Sequence, residues 1–411
     1  MESQISALKK EVRGLFEDSK DTAEQMNLVD TVQHLGIGHH FEEQIANTLC
    51  NIQHKEFNSS SLHEVSLRFR LLREHGLWVS PGLYIIMNTQ IFLILPSFLN
   101  IQNHNSKKTL IFRWWKDLYA EVALGFARNR IVQLYLWSYA VYYEQEYSCA
   151  RIILAKLLAM ITMMDDIYDT RATLEESEKL NEAIERWDES AVSILPEYLK
   201  KFYFRILRTF KEIQDMLPPD DQYKVSYAQK SFQILSNYSL RGAEWFHRNK
   251  IPTFEDKVEV SVMDSAGPFS CLALLVGMGD VASKEALEWA LGCTGAVKAC
   301  GEITRYLNDI TALKHGNREQ DAANCVECYI AEYHVTSEVA IANICQMIED
   351  AWKTTNKALL EHGSLHPVVV RRIFNATASL TLMYGEKKDV FTFGNDLEGL
   401  LERLFFRPIT I

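Results

Sequence analysis

Asp165-Asp166-Ile167-Tyr168-Asp169 sets three carboxylates within five residues. Helix positions four apart share a face, so Asp165 and Asp169 project together. Two like charges at that spacing destabilise a bare helix by about 0.2–0.5 kcal/mol. The apolar run from Leu157 to Met164 leads directly into them, which predicts a buried helix ending in an acidic cluster. Such a cluster is costly unless a cation compensates it. Hard oxygen donors suit Mg2+, which takes one or two carboxylates together with substrate phosphates. A solvated acidic helix end is the alternative.

Arg305-Tyr306-Leu307-Asn308-Asp309 offers a complementary set. Arg305 and Asn308 are helix neighbours. An amide oxygen can bind a hard cation, a guanidinium grips phosphate oxygens in a fork, and Asp309 adds a carboxylate. Taken alone, a surface Arg–Asp helix explains this stretch equally well. Arg128-Asn129-Arg130 precedes an apolar segment carrying Trp137, Tyr139 and Tyr142. Two arginines one residue apart can converge on an anion, although a basic surface turn and ordinary core aromatics account for the same residues. Together the three stretches suggest one chemistry. Acidic ligands hold Mg2+, the metal and the arginines hold a diphosphate, and aromatic faces stabilise a carbocation.

The elements that must position these residues read as helices. Glycine and proline are sparse, with 18 and 9 copies in 411 residues, and no alternating run of strand length stands out, so an all-α fold is expected. Arg151 to Ile167 places Ile152, Leu154, Leu157, Ile161 and Met164 near one side, and Met26 to Asn51 is apolar at helical spacing. Leu217-Pro218-Pro219 breaks one helix, Thr253 is an N-cap candidate for another, and Gly267-Pro268 predicts a kink. An irregular apolar junction over 81–112 separates a helical segment 1–80 from a long helical segment 113–411. Within the junction, Leu83 to Ile101 is apolar but interrupted by Asn88, Thr89, Gln90, Pro96 and Ser97, so no stable membrane anchor is expected.

A net charge of −11 excludes a nucleic-acid partner, which needs basic patches. It leaves an anionic substrate open, since a divalent metal reverses the local field. The eight cysteines follow no disulfide framework and read as reduced thiols. Cys325 and Cys328 form a lone C-x-x-C, read as structural rather than as a zinc or redox site. The first residues, MESQISALKKEVRGLFEDSKD, lack the features of a transit or signal peptide, which points to the cytoplasm.

Eight ordered blocks carry a family resemblance: RWWKDL (Arg113–Leu118), FARNRIVQLYLW (Phe126–Trp137), YYEQEYSCARI (Tyr142–Ile152), MMDDIYDT (Met163–Thr170), TLEE (Thr173–Glu176), AIERWD (Ala183–Asp188), EWFHRNKIPTFED (Glu244–Asp256) and VECY (Val326–Tyr329). In their order and spacing they resemble the plant class I terpene synthases, most closely the sesquiterpene synthases. Leu28–Leu49 and Leu67–Ser80 resemble the start of that family's N-terminal, glycosyl-hydrolase-like helical domain. The resemblance implies a class I terpenoid synthase bundle over 113–411 with a partial N-terminal domain. It implies a monomer that converts farnesyl diphosphate with three Mg2+ ions, Mn2+ being the alternative metal. Asp165 and Asp169 would bind metal with Asp166 in support, and Asn308 would bind it from the opposite helix with Asp309 beside it. Arg128, Arg130 and Arg305 would hold the departing diphosphate. Trp137 would line the pocket, Tyr384 and Asp389 would form its C-terminal pair, and Met263 to Phe269 would form a kinked pocket helix.

This sequence departs from the family pattern in three places. Ala312 and Gly316 stand where the second metal motif carries Ser/Thr and Glu, so two oxygen ligands are missing. Val390-Phe391 replaces Gly-Tyr after Asp389. About a hundred residues usual between the equivalents of Ser80 and Arg113 are absent. Each lost metal–oxygen contact is worth about 1.5–3 kcal/mol, so an impaired or inactive enzyme is the alternative expectation. A chain-elongating prenyltransferase would need a second aspartate-rich motif, which Asn308-Asp309-Ile-Thr-Ala does not supply. A membrane-anchored non-enzyme rests on Leu83–Ile101 alone.

Overall fold

The structure is a computed structural model that describes residues 2–34, 37–55, 62–75, 77, 101–122, 125–127, 129–315, 323–361 and 363–384. Every regular element among them is helical, and the chain divides into two compact units, Met1–Leu95 and Pro96–Ile411. Arg128, Gly316, Asp389 and residues 83–100 of the apolar junction lie outside the described residues.

The first unit holds α1 (Glu2–Asp18), α2 (Thr22–His34), α3 (Glu42–His54) and α4 (Leu62–Glu74). Its core is apolar, with Met26, Val29, Phe41, Leu49, Ile52, Leu71 and Leu72 almost wholly excluded from solvent. The buried Arg68 of α4 donates to the Ile52 carbonyl at 3.0 Å, which places a cation at the carbonyl end of α3, where the helix dipole favours it. The continuous helical spacing expected from Met26 to Asn51 is in fact two helices, separated by a 3-10 turn at Gly38–His40.

The second unit holds α5 (Ile101–Val122), α6 (Ile131–Val141), α7 (Ser148–Thr170), α8 (Leu174–Arg186), α9 (Glu197–Met216), α10 (Lys224–His247), α11 (Phe254–Asp264), α12 (Gly267–Val276), α13 (Lys284–Leu291), α14 (Ala296–His315), α15 (Cys325–Tyr333), α16 (Ser337–Leu360) and α17 (Pro367–Tyr384). Residues 101–112, expected to be irregular, are the first half of α5. A turn anchored by the buried Ile111, Trp115 and Leu118 propagates at little cost through the polar stretch before it. α7 is buried on every side from Ala150 to Met164, so it is a central helix. α10 and α12 pack on α7, and α12 also packs on α14 and α17.

The expected kink falls slightly earlier than Gly267-Pro268. α11 ends with Ser265 as its C-cap, Ala266 takes a left-handed φ of 61°, and Gly267-Pro268 opens α12. Proline has no N–H to lose in a first helical turn. Ser265 tends the freed backbone groups, since its hydroxyl donates to the Val262 carbonyl at 2.7 Å and accepts from the Gly267 N–H at 3.3 Å. Among the described residues one stretch, Phe254–Val276, is long and apolar enough to cross a membrane, but it is this broken core segment.

Both ends of α12 touch neighbouring backbone. A Cβ on Gly267 would lie 2.7 Å from Gly301 Cα of α14, and one on Gly277 would lie 2.5 Å from Ala150 Cα of α7. α12 is therefore a strut of fixed length between the helices that carry the two acidic motifs.

Candidate active site

The end of α7 presents its carboxylates unequally. Asp166 is 1% exposed, whereas Asp165 and Asp169 keep part of their surface open. The i, i+4 pair thus faces outward from the core while Asp166 sits behind it. The chain turns immediately afterwards. Thr173 and Glu176 form a capping box at the start of α8, with Glu176 N–H donating to Thr173 Oγ1 at 3.3 Å and Thr173 N–H to Glu176 Oε2 at 3.0 Å. That exchange satisfies two of the four free N–H groups of α8 and fixes where the acidic end stops.

On α14, Arg305 donates to Asn308 Oδ1 and pairs with Asp309, its Nε lying 3.2 Å from Oδ1. The other oxygen of Asp309 accepts from the Cys325 N–H at 2.7 Å. Asp309 is 2% exposed and is fully engaged: it steers Arg305 and receives the N-terminus of α15. Asn308 is partly open, and its side-chain oxygen accepts from Arg305. Ala312, one turn further along α14, offers no oxygen.

Ala127 and Asn129, ahead of α6, are held by α5. Trp115 Nε1 donates to Asn129 Oδ1 at 2.8 Å, and Tyr119 donates to the Ala127 carbonyl at 2.9 Å. Arg130 is half-buried and precedes α6. Trp137 lies on α6 and Tyr384 ends α17; these two helices pack together and both residues are buried. Arg372 of α17 clamps the turn between α6 and α7, with two bonds to Glu144 of 2.8 and 3.0 Å and its guanidinium 4.6 Å from the Tyr147 ring.

Asp264, which the motifs did not single out, connects the two acidic stretches. It closes α11 and accepts a hydrogen bond from Ser239 Oγ. Burial and then the charge of Asp165 hold its carboxyl well above the usual range, while Ser239, Arg305 and Lys257 act in the opposite direction. One side chain thus lies within electrostatic reach of both Asp165 on α7 and Arg305 on α14. The donor types suit a hard divalent cation: two partly open carboxylates on α7 and an amide oxygen on α14. The signal for Asp264 in the sequence was a lone acid before Ser-Ala-Gly-Pro in an otherwise apolar stretch.

Residues 116–354 match the terpene synthase family metal-binding domain, and residues 1–85 match the terpene synthase N-terminal domain. The chain belongs to the terpene synthase family. It is 38% identical to tau-cadinol synthase from Zea mays, over all of this chain and 93% of that protein, and 36% identical to alpha-copaene synthase from the same plant, over 99% and 95%. Both alignments span 512 positions, about a hundred more than this chain has residues. The fold matches isoprene synthase from grey poplar leaves, solved with three Mg2+ ions and dimethylallyl-S-thiolodiphosphate, with a TM-score of 0.70 and 22% identity over 98% of this chain and 96% of that one. The bundle is thus that of a class I terpene synthase with a metal-binding domain, and its relatives are plant sesquiterpene synthases.

Proposed function

We propose that this terpene synthase is a sesquiterpene synthase that ionises farnesyl diphosphate and cyclises the resulting allylic cation. The observation that carries the proposal is that Asp165, at the carboxylate end of α7, and Arg305, on the arginine–asparagine face of α14, both act electrostatically on the buried Asp264. The two maize relatives support the C15 substrate.

Asp165 and Asp169 would hold Mg2+ from α7, with Asp166 supporting them from behind, and Asn308 would hold it from α14. Three ions are proposed, with Mn2+ able to replace them. Bound there, the metal supplies Lewis-acid charge to the diphosphate oxygens. Arg305, kept in line by Asp309, and Arg130 and Arg128 receive the negative charge of the departing diphosphate. Trp137 offers its ring face to the cation, with Tyr384 and Asp389 completing the pocket. Residues 113–411 would form the catalytic domain and 1–80 the partial N-terminal one, in a monomer acting in the cytosol.

Incubating the purified chain with Mg2+ and, side by side, farnesyl and geranyl diphosphate tests this. Pyrophosphate and a C15 hydrocarbon from the first are expected. No pyrophosphate from either substrate would reject the activity, and turnover of geranyl diphosphate alone would reject the C15 assignment.

A further inference from the structure

Tyr168 sits inside the acidic stretch of α7, between Asp165 and Asp169, yet it is buried. Its hydroxyl lies 2.8 Å from Ser236 Oγ of α10, and Ser236 donates to Asn181 Oδ1 of α8, also at 2.8 Å. A serine hydroxyl has one proton to give, so Ser236 accepts from the phenol, and the chain of donors runs from Tyr168 through Ser236 to Asn181. All three side chains are buried, so bulk water does not replace a broken link. The far end of the chain rests on a fixed frame. Gln233 of α10 donates to the Ile184 and Glu185 carbonyls of α8 at 3.1 and 2.9 Å, and Asn237 donates to Glu185 Oε1 at 3.2 Å. The apolar burial that holds the rest of α7 is non-directional. The Tyr168 bond adds a directional contact to its last turn.

We infer that Tyr168 is a positioning residue for the cation ligands: its bond to Ser236 sets the roll of the last turn of α7, and so the direction in which Asp165 and Asp169 present their oxygens. This rests on the metal-binding role proposed above for that pair. Asp165 lies three residues before Tyr168 and Asp169 directly after it, so a roll of this turn carries both carboxylates with it. Mg2+ demands near-ideal octahedral ligand directions. Misdirected carboxylates therefore cost metal affinity first, and contacts that orient ligands are part of a metal site even where they do not touch the ion. A phenylalanine at 168 fills nearly the same space, so the hydroxyl contributes the direction and the ring contributes the packing.

The test is the half-saturating Mg2+ concentration, read twice: from pyrophosphate release with farnesyl diphosphate, and from the rise in melting temperature with Mg2+ and inorganic pyrophosphate. Tyr168→Phe is expected to raise it by about 3–10-fold in both readings, with kcat at saturating Mg2+ within about twofold of the unmodified protein. Ser236→Ala breaks the same bond and should give a similar rise; it decides the matter if Tyr168→Phe does not fold. The double variant should rise no further than the larger single, because both changes remove one interaction. Tyr203→Phe is the control for simple loosening. Its buried hydroxyl donates to the Ala183 and Asp188 carbonyls at 2.8 and 2.9 Å, and its loss should lower the melting temperature while leaving half-saturation within about twofold. An unchanged half-saturation in folded Tyr168→Phe or Ser236→Ala overturns the inference, as does an equal rise in Tyr203→Phe or a double variant whose rise is the product of the two singles. If the unmodified chain shows neither turnover nor a Mg2+-dependent melting shift, the metal assignment and this inference fall together. If it shows the shift and the variants keep its Mg2+ dependence, only this inference falls.

Discussion

The charge of Asp165 adds to burial in holding the Asp264 carboxyl above its usual range. Replacing Asp165 by Asn should therefore separate activity from stability. Pyrophosphate release is expected to fall by about 10–100-fold, the equivalent of one charged contact of ~1.5–3 kcal/mol. In chelator, the same variant should melt higher than the unmodified protein, because a like charge beside a buried carboxylate is gone. Asp309→Asn should do the reverse. It weakens the hold on Arg305 and on the α15 N-terminus, lowering stability by about 1–3 kcal/mol in a denaturant melt. At this scale the sequence shows the carboxylates and the amide plainly, because ligand type and helical spacing are local properties. The Arg305–Asp309 pair is equally legible as an i, i+4 neighbour. For Asp264 the sequence shows only a lone acid before Ser-Ala-Gly-Pro; Ser239, Asp165 and Arg305, which act on it, lie on three other helices and are brought near it only by folding.

The recurring sequence blocks prove, element by element, to be mostly joints. TLEE is a capping box, and the stretch from Asn324 into VECY is another, with Asn324 and Glu327 exchanging bonds of 2.9 and 3.1 Å. Thr253 caps α11 by accepting from the Asp256 N–H at 3.1 Å, as expected. RWWKDL divides its work: Trp114 donates to Glu212 of α9 at 3.0 Å, and Trp115 holds Asn129. Caps are legible because they are complete within four residues. The kink is less so, because Gly-Pro announces a break without saying which residue bends. Ala266 bends, at a left-handed φ that an L-residue adopts at a cost. Ala266→Gly is therefore expected to raise stability by about 0.5–1 kcal/mol in a urea titration. Gly301→Ala should do the opposite. Its Cβ would meet Val262 Cγ1 at 2.8 Å and the Val262 carbonyl at 2.9 Å, an overpacking costing about 1–3 kcal/mol. It should also raise KM, because Arg305 lies one turn further along the displaced helix.

Taken whole, the molecule carries eleven excess negative charges and an active-site face that is acidic before any ligand arrives. Mg2+ and inorganic pyrophosphate, each acting as the other's counter-charge, should raise the melting temperature together by more than the sum of their separate effects. Binding to the folded state alone stabilises it by mass action. A shift with pyrophosphate alone as large as with both would contradict the metal-centred arrangement. The order of helices and the all-helical class are readable from spacing and the scarcity of glycine and proline. Element boundaries are not: α5 begins before its apolar stripe does, because helix propagation follows nucleation rather than composition.

The glycine contacts at the two ends of α12 set a limit on how this catalyst can diversify. Anything larger than hydrogen at Gly267 or Gly277 would wedge the strut off one of its seats, changing the gap between the ionising machinery on either side. Larger side chains can be accommodated only between those seats or on the surrounding helices. Under the proposed function, changes of product would therefore fall on those positions, while the two seats stay glycine.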